Sequence, residues 1–128
     1  MQLVIDKKTK QVICVALGKG KVHDFKLLKN SNTHFAKNTK VGVDKGYQGI
    51  KQLHEKSSLP HKKPRGGVLS DEQRSENRVQ AKERIVVEHI NRRFKVFRCL
   101  GGRYRNRRKR FGLRVNLIAG LYNLDAGR

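Results

Sequence analysis

The sequence has no tryptophan, only two cysteines, and just 10 acidic residues against 31 lysines and arginines. Aromatic residues make up 6% of the chain and hydrophobic residues 36%, so only a modest apolar core can form. Cys14 lies in an apolar, strand-like run and Cys99 at the end of a helical pattern, without the paired spacing of a zinc or redox site. We interpret both cysteines as small buried thiols.

Long apolar runs are also missing. No stretch approaches the roughly 18 to 20 apolar residues that a membrane helix needs, and no signal-peptide pattern follows Met1. We therefore predict a cytoplasmic protein without a membrane partner.

Positive charge is what the chain has in excess. Its 128 residues are enough for one domain or part of one, and they carry a net charge of +21. A charge of this size concentrates polyanions around the protein. Nucleic acid is the partner that the composition predicts.

Strand-like and helical patterns both occur along the chain. Residues 1–50 form the sheet portion and begin with two β-branched runs, typical of a hairpin with its turn near residues 7–10. The brief apolar run at residues 41–43 predicts a further strand that ends at Asp44.

The second part of the chain divides by composition into three segments. Residues 51–72 hold both prolines and a glycine pair and predict a basic loop, while Ser70 and Gln73 have capping-box spacing. Residues 73–100 predict a long helix, and residues 101–128 predict a basic arm followed by a C-terminal helix.

The long predicted helix carries two stripes. At about 100° per residue, Arg84, Glu88 and Lys95 fall within roughly 40° of one another, away from the apolar stripe. This pattern can be an ordinary charged face with i,i+4 pairs, or it can present Glu88 for chemistry. The apolar stripe, which we expect to be buried, consists of Val79, Val86, Val87, Ile90, Phe94 and Phe97.

Asp44 is the second acid that its context singles out. It ends a predicted strand and precedes the glycine-rich segment 45–50, which is how open α/β sheets present site residues, although an Asp that merely starts a turn fits the same pattern. Carboxylates such as Asp44 and Glu88 can bind Mg²⁺ or Mn²⁺ for attack on a phosphodiester. In so basic a chain, acids that face DNA would repel it unless they held a metal ion.

These features resemble the carboxyl-terminal part of DDE transposases of bacterial insertion sequences, the DDE superfamily endonuclease domain. The likeness extends over most of the chain and rests on motifs in the family's order: GKVHDFKLLK at 20–29, VDKGYQGI at 43–50, PRGGVLSDEQRSENR at 64–78, the spacing of Arg84, Glu88 and Lys95, and YRNRRKRFGLRVNLIAGLYN at 104–123. The resemblance implies the α/β class, with a ribonuclease-H-like mixed sheet flanked by helices. It also implies metal-dependent DNA cleavage and strand transfer.

The resemblance also implies residue roles. Asp44 and Glu88 would be catalytic metal ligands for Mg²⁺ or Mn²⁺, Arg84 and Lys95 would bind DNA, and Tyr47 would pack beside the site. The family's first catalytic Asp has no match in this chain. We therefore expect the carboxyl-terminal portion of a transposase that lacks its first strand and is inactive alone.

Two other acids have local explanations. Asp6 follows the first strand-like run and fits a hairpin turn. Asp24 stands where a helix N-cap would stand, and contact with the metal is the alternative.

The basic arm is expected to contact DNA phosphates without reading sequence, and a solvated basic loop is the alternative. Its cationic residues are Arg103, Arg105, Arg107, Arg108, Lys109 and Arg110.

The resemblance further implies DNA, namely transposon ends, as the partner in a bacterial cytoplasm. A transposase half from an upstream frame and a second copy of the chain are the protein partners it suggests. One rival interpretation is a non-enzymatic basic protein that binds nucleic acid. Another is a remnant that folds poorly because its sheet has lost a strand.

Overall fold

A computed structural model of the protein describes residues 1–105 and 108–128. It shows the α/β class that the sequence predicts, with small sheets and helices. The chain divides into two compact units, one of residues 1–18 and 85–128 and the other of residues 19–84. The boundary between the two units falls inside the longest of the helices described.

The first unit begins with an antiparallel hairpin of β1 (Gln2–Ile5) and β2 (Val12–Ala16). The pairing shifts by one residue after Val4, because Val4 faces Cys14 whereas Ile5 faces Val12. This bulge leaves Ile13 unpaired, and 66% of that residue is exposed.

The hairpin turn confirms the local interpretation of Asp6. Its Oδ1 accepts hydrogen bonds from the backbone N–H of Lys8 at 2.7 Å and of Thr9 at 3.0 Å. These bonds from Thr9 and Lys8 lower the pKa of the Asp6 carboxyl, since they stabilise its charged form.

The helices of the first unit cover this hairpin. They are the second half of α3 (Asp71–Lys95), the short α4 (Arg98–Gly101) and α5 (Phe111–Ala126), with a 3₁₀ turn at Arg108–Arg110. Half-buried apolar side chains from β1, β2 and the helices surround the core. The core itself consists of Val12, Ile90, Phe94, Ile118 and Ala119.

The helix predicted over residues 73–100 is not continuous, which corrects that boundary. α3 ends at Lys95, and the N–H of Phe97 binds the carbonyl of Phe94 at 3.2 Å in a tighter turn. The chain then folds back so closely that a Cβ at Gly101 would lie 2.4 Å from the Lys95 carbonyl oxygen.

The predicted apolar stripe of this helix is buried only in part. Ile90 and Phe94 are buried, whereas Val79 is 57% exposed and Phe97, beyond the helix end, is 45% exposed. Val86 and Val87 are half-buried. The stripe therefore serves as a core face only over the second half of α3.

The second unit contains α1 (Asp24–Asn30), β3 (Val41–Gly42), α2 (Ile50–Leu53), β4 (Ser57–Ser58) and the first half of α3. β3 and β4 pair in parallel, with Val41 opposite Ser57. The segment predicted as a basic loop, residues 51–72, thus includes part of α2 and a two-residue strand. Pro60, just after that strand, is buried.

Two helix starts can be compared with their predictions. The capping box is confirmed, because Ser70 Oγ accepts from the N–H of Gln73 and Gln73 Oε1 accepts from the N–H of Ser70, both at 3.2 Å. The N-cap of α1 is His23 rather than Asp24, which is the first helical residue, so the prediction for Asp24 was wrong. Over the residues described, no helix is long and apolar enough to cross a membrane.

Candidate metal and nucleic-acid site

Asp44 lies just past the end of β3, and the sequence predicts it at the end of that strand. The N–H of Val43 still binds the carbonyl of Ser58 at 3.1 Å, so the strand pairing continues to the residue before Asp44. The chain then turns, since the N–H of Tyr47 binds the Asp44 carbonyl at 3.0 Å. The strand end and this turn together fix where the Asp44 side chain leaves the backbone.

The Asp44 carboxylate accepts two hydrogen bonds on the same oxygen. The Lys45 N–H donates to Oδ1 at 2.6 Å, and Arg84 Nη1 donates to it at 2.9 Å. The Arg84 side chain is 38% exposed and that of Asp44 is 54% exposed. The second unit therefore contains an ion pair between a predicted metal ligand and a predicted DNA-binding residue, 40 positions apart in sequence.

Glu88 and Lys95 lie further along α3, in the first unit. Both are exposed, and Glu88 follows Arg84 by one helical turn, as the predicted stripe requires. The roles of Glu88 as a metal ligand and of Lys95 as a DNA contact remain predictions.

The fit to a metal ion can be judged from the donor chemistry. Carboxylate oxygens are the ligands that Mg²⁺ and Mn²⁺ prefer, and Asp44 and Glu88 are both accessible to solvent. A cation at Asp44 Oδ1 would compete with Arg84 for that oxygen. Within residues 1–105 and 108–128, no group of three or more His, Cys, Asp or Glu side chains is placed to hold a metal. The donor types of Asp44 and Glu88 therefore fit the ion.

The aromatic neighbour of the Asp44 turn is Phe25 of α1. Its ring lies 6.4 Å from that of Tyr47, edge to face, and Tyr47 is half-buried. Gly49 has φ of +89° and brings the backbone close to Phe25, since a Cβ there would lie 3.6 Å from the ring. Packing against α1 thus supports the turn that carries Asp44.

The basic arm precedes α5. Arg103 and Arg105 are exposed, and Arg108, Lys109 and Arg110 form the exposed 3₁₀ turn that leads into α5, whereas Arg107 lies outside the described residues. Cations at a helix N-terminus oppose the helix dipole. This placement lowers the stability of the helix by roughly a few tenths of a kcal/mol and favours binding of an anion nearby.

An aromatic cluster fixes both ends of this arm. The Tyr104 ring lies 4.6 Å from that of Phe111, and the Arg114 guanidinium lies 5.8 Å from the Tyr104 ring. The single tyrosine among the bases therefore packs against α5.

Sequence reasoning missed the side chains that fix the loop before α3. Asn77 donates from Nδ2 to the His61 carbonyl at 3.1 Å and accepts the His61 N–H on Oδ1 at 2.8 Å. The His61 ring also binds the Glu76 carboxylate. The only signal in the sequence was a polar residue inside a helical pattern, and α3 runs through it unbroken.

Comparison with known proteins places these features in a family. A sequence profile described as DDE superfamily endonuclease matches residues 1–123. A probable transposase for insertion sequence element IS702 from Microchaete diplosiphon is 55% identical to this chain over 124 residues, which are 97% of this chain and 45% of the relative. No solved structure matches the chain significantly. The match to the profile extends over β1, Asp44, Glu88 and most of α5, and on that ground the chain belongs to the DDE superfamily of endonucleases.

Proposed function

We propose that this chain is the carboxyl-terminal portion of a DDE transposase and takes part in metal-dependent cleavage and strand transfer of DNA. The observation that carries the proposal is the placement of Asp44 at the end of β3, paired with Arg84 one helical turn before Glu88. Family membership supports it, since the relative is named as a probable transposase. The chain spans 45% of that relative's length, so the activity proposed is that of a longer protein.

In this proposal Asp44 and Glu88 would hold Mg²⁺ or Mn²⁺, an ion that would supply activation of a water or hydroxyl and stabilisation of charge at the scissile phosphate. Arg84 and Lys95 bind the DNA backbone beside them, and the basic arm binds phosphates further along the duplex. Bacterial DNA is the substrate, so the complex would act in the cytoplasm. A further acid, from an upstream half of the transposase, would complete the ligand set.

The finer architecture is part of the proposal. We propose a ribonuclease-H-like sheet in which a strand bearing the first acid is not supplied by this chain. Two observations support it: the strands form two separate pairs, and the parallel pair of β3 and β4 is only two residues long. So short a parallel pair is marginal without further strands. A second copy of the chain on paired DNA ends is a further expectation.

We expect this chain alone to show no strand transfer and no robust DNA cleavage with Mg²⁺ or Mn²⁺. The physical reason is that two carboxylates leave a catalytic metal short of protein ligands. The assay incubates the purified chain with duplex DNA and each cation and resolves the products on a denaturing gel. Robust cleavage by the unmodified chain would refute the expected inactivity. If Glu88→Gln abolished that cleavage and the control Glu55→Gln retained it, the result would still support the proposed site.

The second candidate is a non-enzymatic nucleic-acid-binding protein. The net charge of +21 favours it, and so does the lack of a three-ligand group among the residues described. The two candidates differ in their dependence on metal. A plain binder should lose no DNA affinity in Mg²⁺ when Asp44→Asn and Glu88→Gln are introduced, whereas the proposed site should lose ion binding and the Mg²⁺-dependent part of its DNA affinity.

A further inference from the structure

The segment that leads into α3 is a closed loop, residues 61–70, which we call the anchored loop. One end is fixed where Asn77 binds both the N–H and the carbonyl of His61, at 2.8 Å and 3.1 Å. The other end is fixed by the capping box of Ser70 and Gln73 at the start of the same helix. Both ends of the loop are therefore held by α3.

The middle of the loop has a defined backbone. The N–H of Gly67 binds the carbonyl of Pro64 at 3.1 Å, and Gly66 between them has φ of +75°. This combination is typical of a type II turn, in which the third position favours glycine. Gly67 is also confined, because a Cβ there would lie 2.6 Å from the Pro64 ring. The loop is thus shaped by its turn as well as by its ends.

The side chains that this loop displays are cationic. Lys62, Lys63 and Arg65 are exposed, and the loop from 61 to 70 contains no acidic residue. Asp71 and Glu72 follow the loop directly in the first turn of α3, and the Glu76 carboxylate is bound by the His61 ring. Three positive charges within four residues therefore face solvent from a loop whose backbone is already ordered.

From this geometry we infer that the anchored loop is a phosphate-contacting surface for duplex DNA, separate from the arm before α5. Flexible basic loops lose conformational freedom when they bind, and a loop fixed at both ends loses less. The contacts would be to phosphates and independent of sequence, since exposed lysine and arginine side chains can pair with the phosphates of any sequence. This inference rests on the proposed function only in taking DNA as the partner.

The test compares three forms of the full chain by their affinity for a 20-base-pair duplex at several salt concentrations. The first is the unmodified chain, the second is Lys62→Gln/Lys63→Gln/Arg65→Gln, and the third is Lys7→Gln/Lys8→Gln/Lys10→Gln in the hairpin turn. The two triple variants lose the same charge, so they separate a local contact from the effect of net charge.

We expect the loop variant to reduce the slope of log affinity against log salt by about 2 to 3 units, since each phosphate contact contributes roughly 0.9. Between 50 and 200 mM salt, a fourfold change, the unmodified chain would then lose about 16- to 64-fold more affinity than the loop variant. The hairpin variant should keep a slope within about 1 unit of the unmodified chain.

A further variant, Asn77→Ala, tests the role of the anchor. It removes no charge, so we expect a several-fold loss of affinity with the salt slope nearly unchanged, because the freed loop must be ordered on binding. Thermal unfolding followed by circular dichroism checks that the variant still folds. If it unfolds, the comparison of the two triple variants still decides the inference.

The outcomes separate this inference from the proposed function. If the unmodified chain binds DNA with a steep salt dependence and both triple variants behave alike, the loop is a solvated surface and the inference is overturned. If the unmodified chain does not bind DNA at all, the proposed function fails as well.

Discussion

At the scale of single residues, the pairing of Asp44 with Arg84 is the contact that connects sequence and function. Asp44 could be predicted from its place after an apolar strand with glycines behind it. Its partner could not, because the two residues are 40 positions apart and nothing local links them. The pair joins an acid proposed to hold a metal to a cation proposed to contact DNA. Arg84 would then balance the charge of Asp44 whenever no metal does.

A double-mutant cycle measures the strength of this pair. We expect Arg84→Gln and Asp44→Asn to be coupled by only about 0.2 to 1 kcal/mol in the free energy of unfolding, because both side chains are partly exposed and solvent screens them. Urea unfolding of the unmodified chain, the two single variants and the double variant gives the coupling energy. A coupling above about 3 kcal/mol would mean that the pair is buried, contrary to the structure.

At the scale of elements, local signals predicted the hairpin turn and the start of α3 better than the end of that helix and the long-range contacts. The hairpin and the capping box of α3 follow from short-range rules on turn residues and helix caps, and the structure confirms both. These short-range rules do not predict the end of α3 at Lys95, because the apolar stripe continues through Phe97. Just after Lys95 the chain folds back, so that Gly101 lies close to the Lys95 carbonyl oxygen.

The attachment of α5 to the hairpin is another contact that sequence patterns do not contain. Asn123 accepts the Val12 N–H on Oδ1 at 2.7 Å and donates from Nδ2 to the Val12 carbonyl at 2.8 Å. Tyr122 adds a hydrogen bond from its hydroxyl to the Lys10 carbonyl at 3.2 Å. An asparagine on an apolar helix therefore continues the hydrogen bonding of β2 with a side chain.

We expect Asn123→Ala to lower the free energy of unfolding by about 1 to 3 kcal/mol, since it leaves two partly buried backbone groups of Val12 without partners. Asn116→Ala is the matched control, because Asn116 is exposed on the same helix. Urea unfolding of both variants makes the comparison. Equal effects of the two substitutions would show that the attachment does not stabilise the fold.

At the scale of the whole molecule, charge and family membership point to one class of function. The net charge of +21 predicts a polyanionic partner but says nothing of chemistry, which we propose for Asp44 and Glu88. The strand before Asp44 and the helical stripe of Arg84, Glu88 and Lys95 could be predicted from residue patterns. A metal ion shared by Asp44 and Glu88 could not be predicted from residue patterns alone, because the two acids are 44 positions apart; it is our proposal from the family resemblance.

The most direct test of the central claim is therefore Mn²⁺ binding by the chain, followed by electron paramagnetic resonance, for Asp44→Asn, Glu88→Gln and the double variant. Glu55→Gln, which removes an exposed acid elsewhere, is the control. If the two acids share an ion, each single variant should weaken binding nearly as much as the double variant, because effects within one site are not additive. Binding of Mn²⁺ that is unchanged in the double variant, or reduced no more than in Glu55→Gln, would contradict the account.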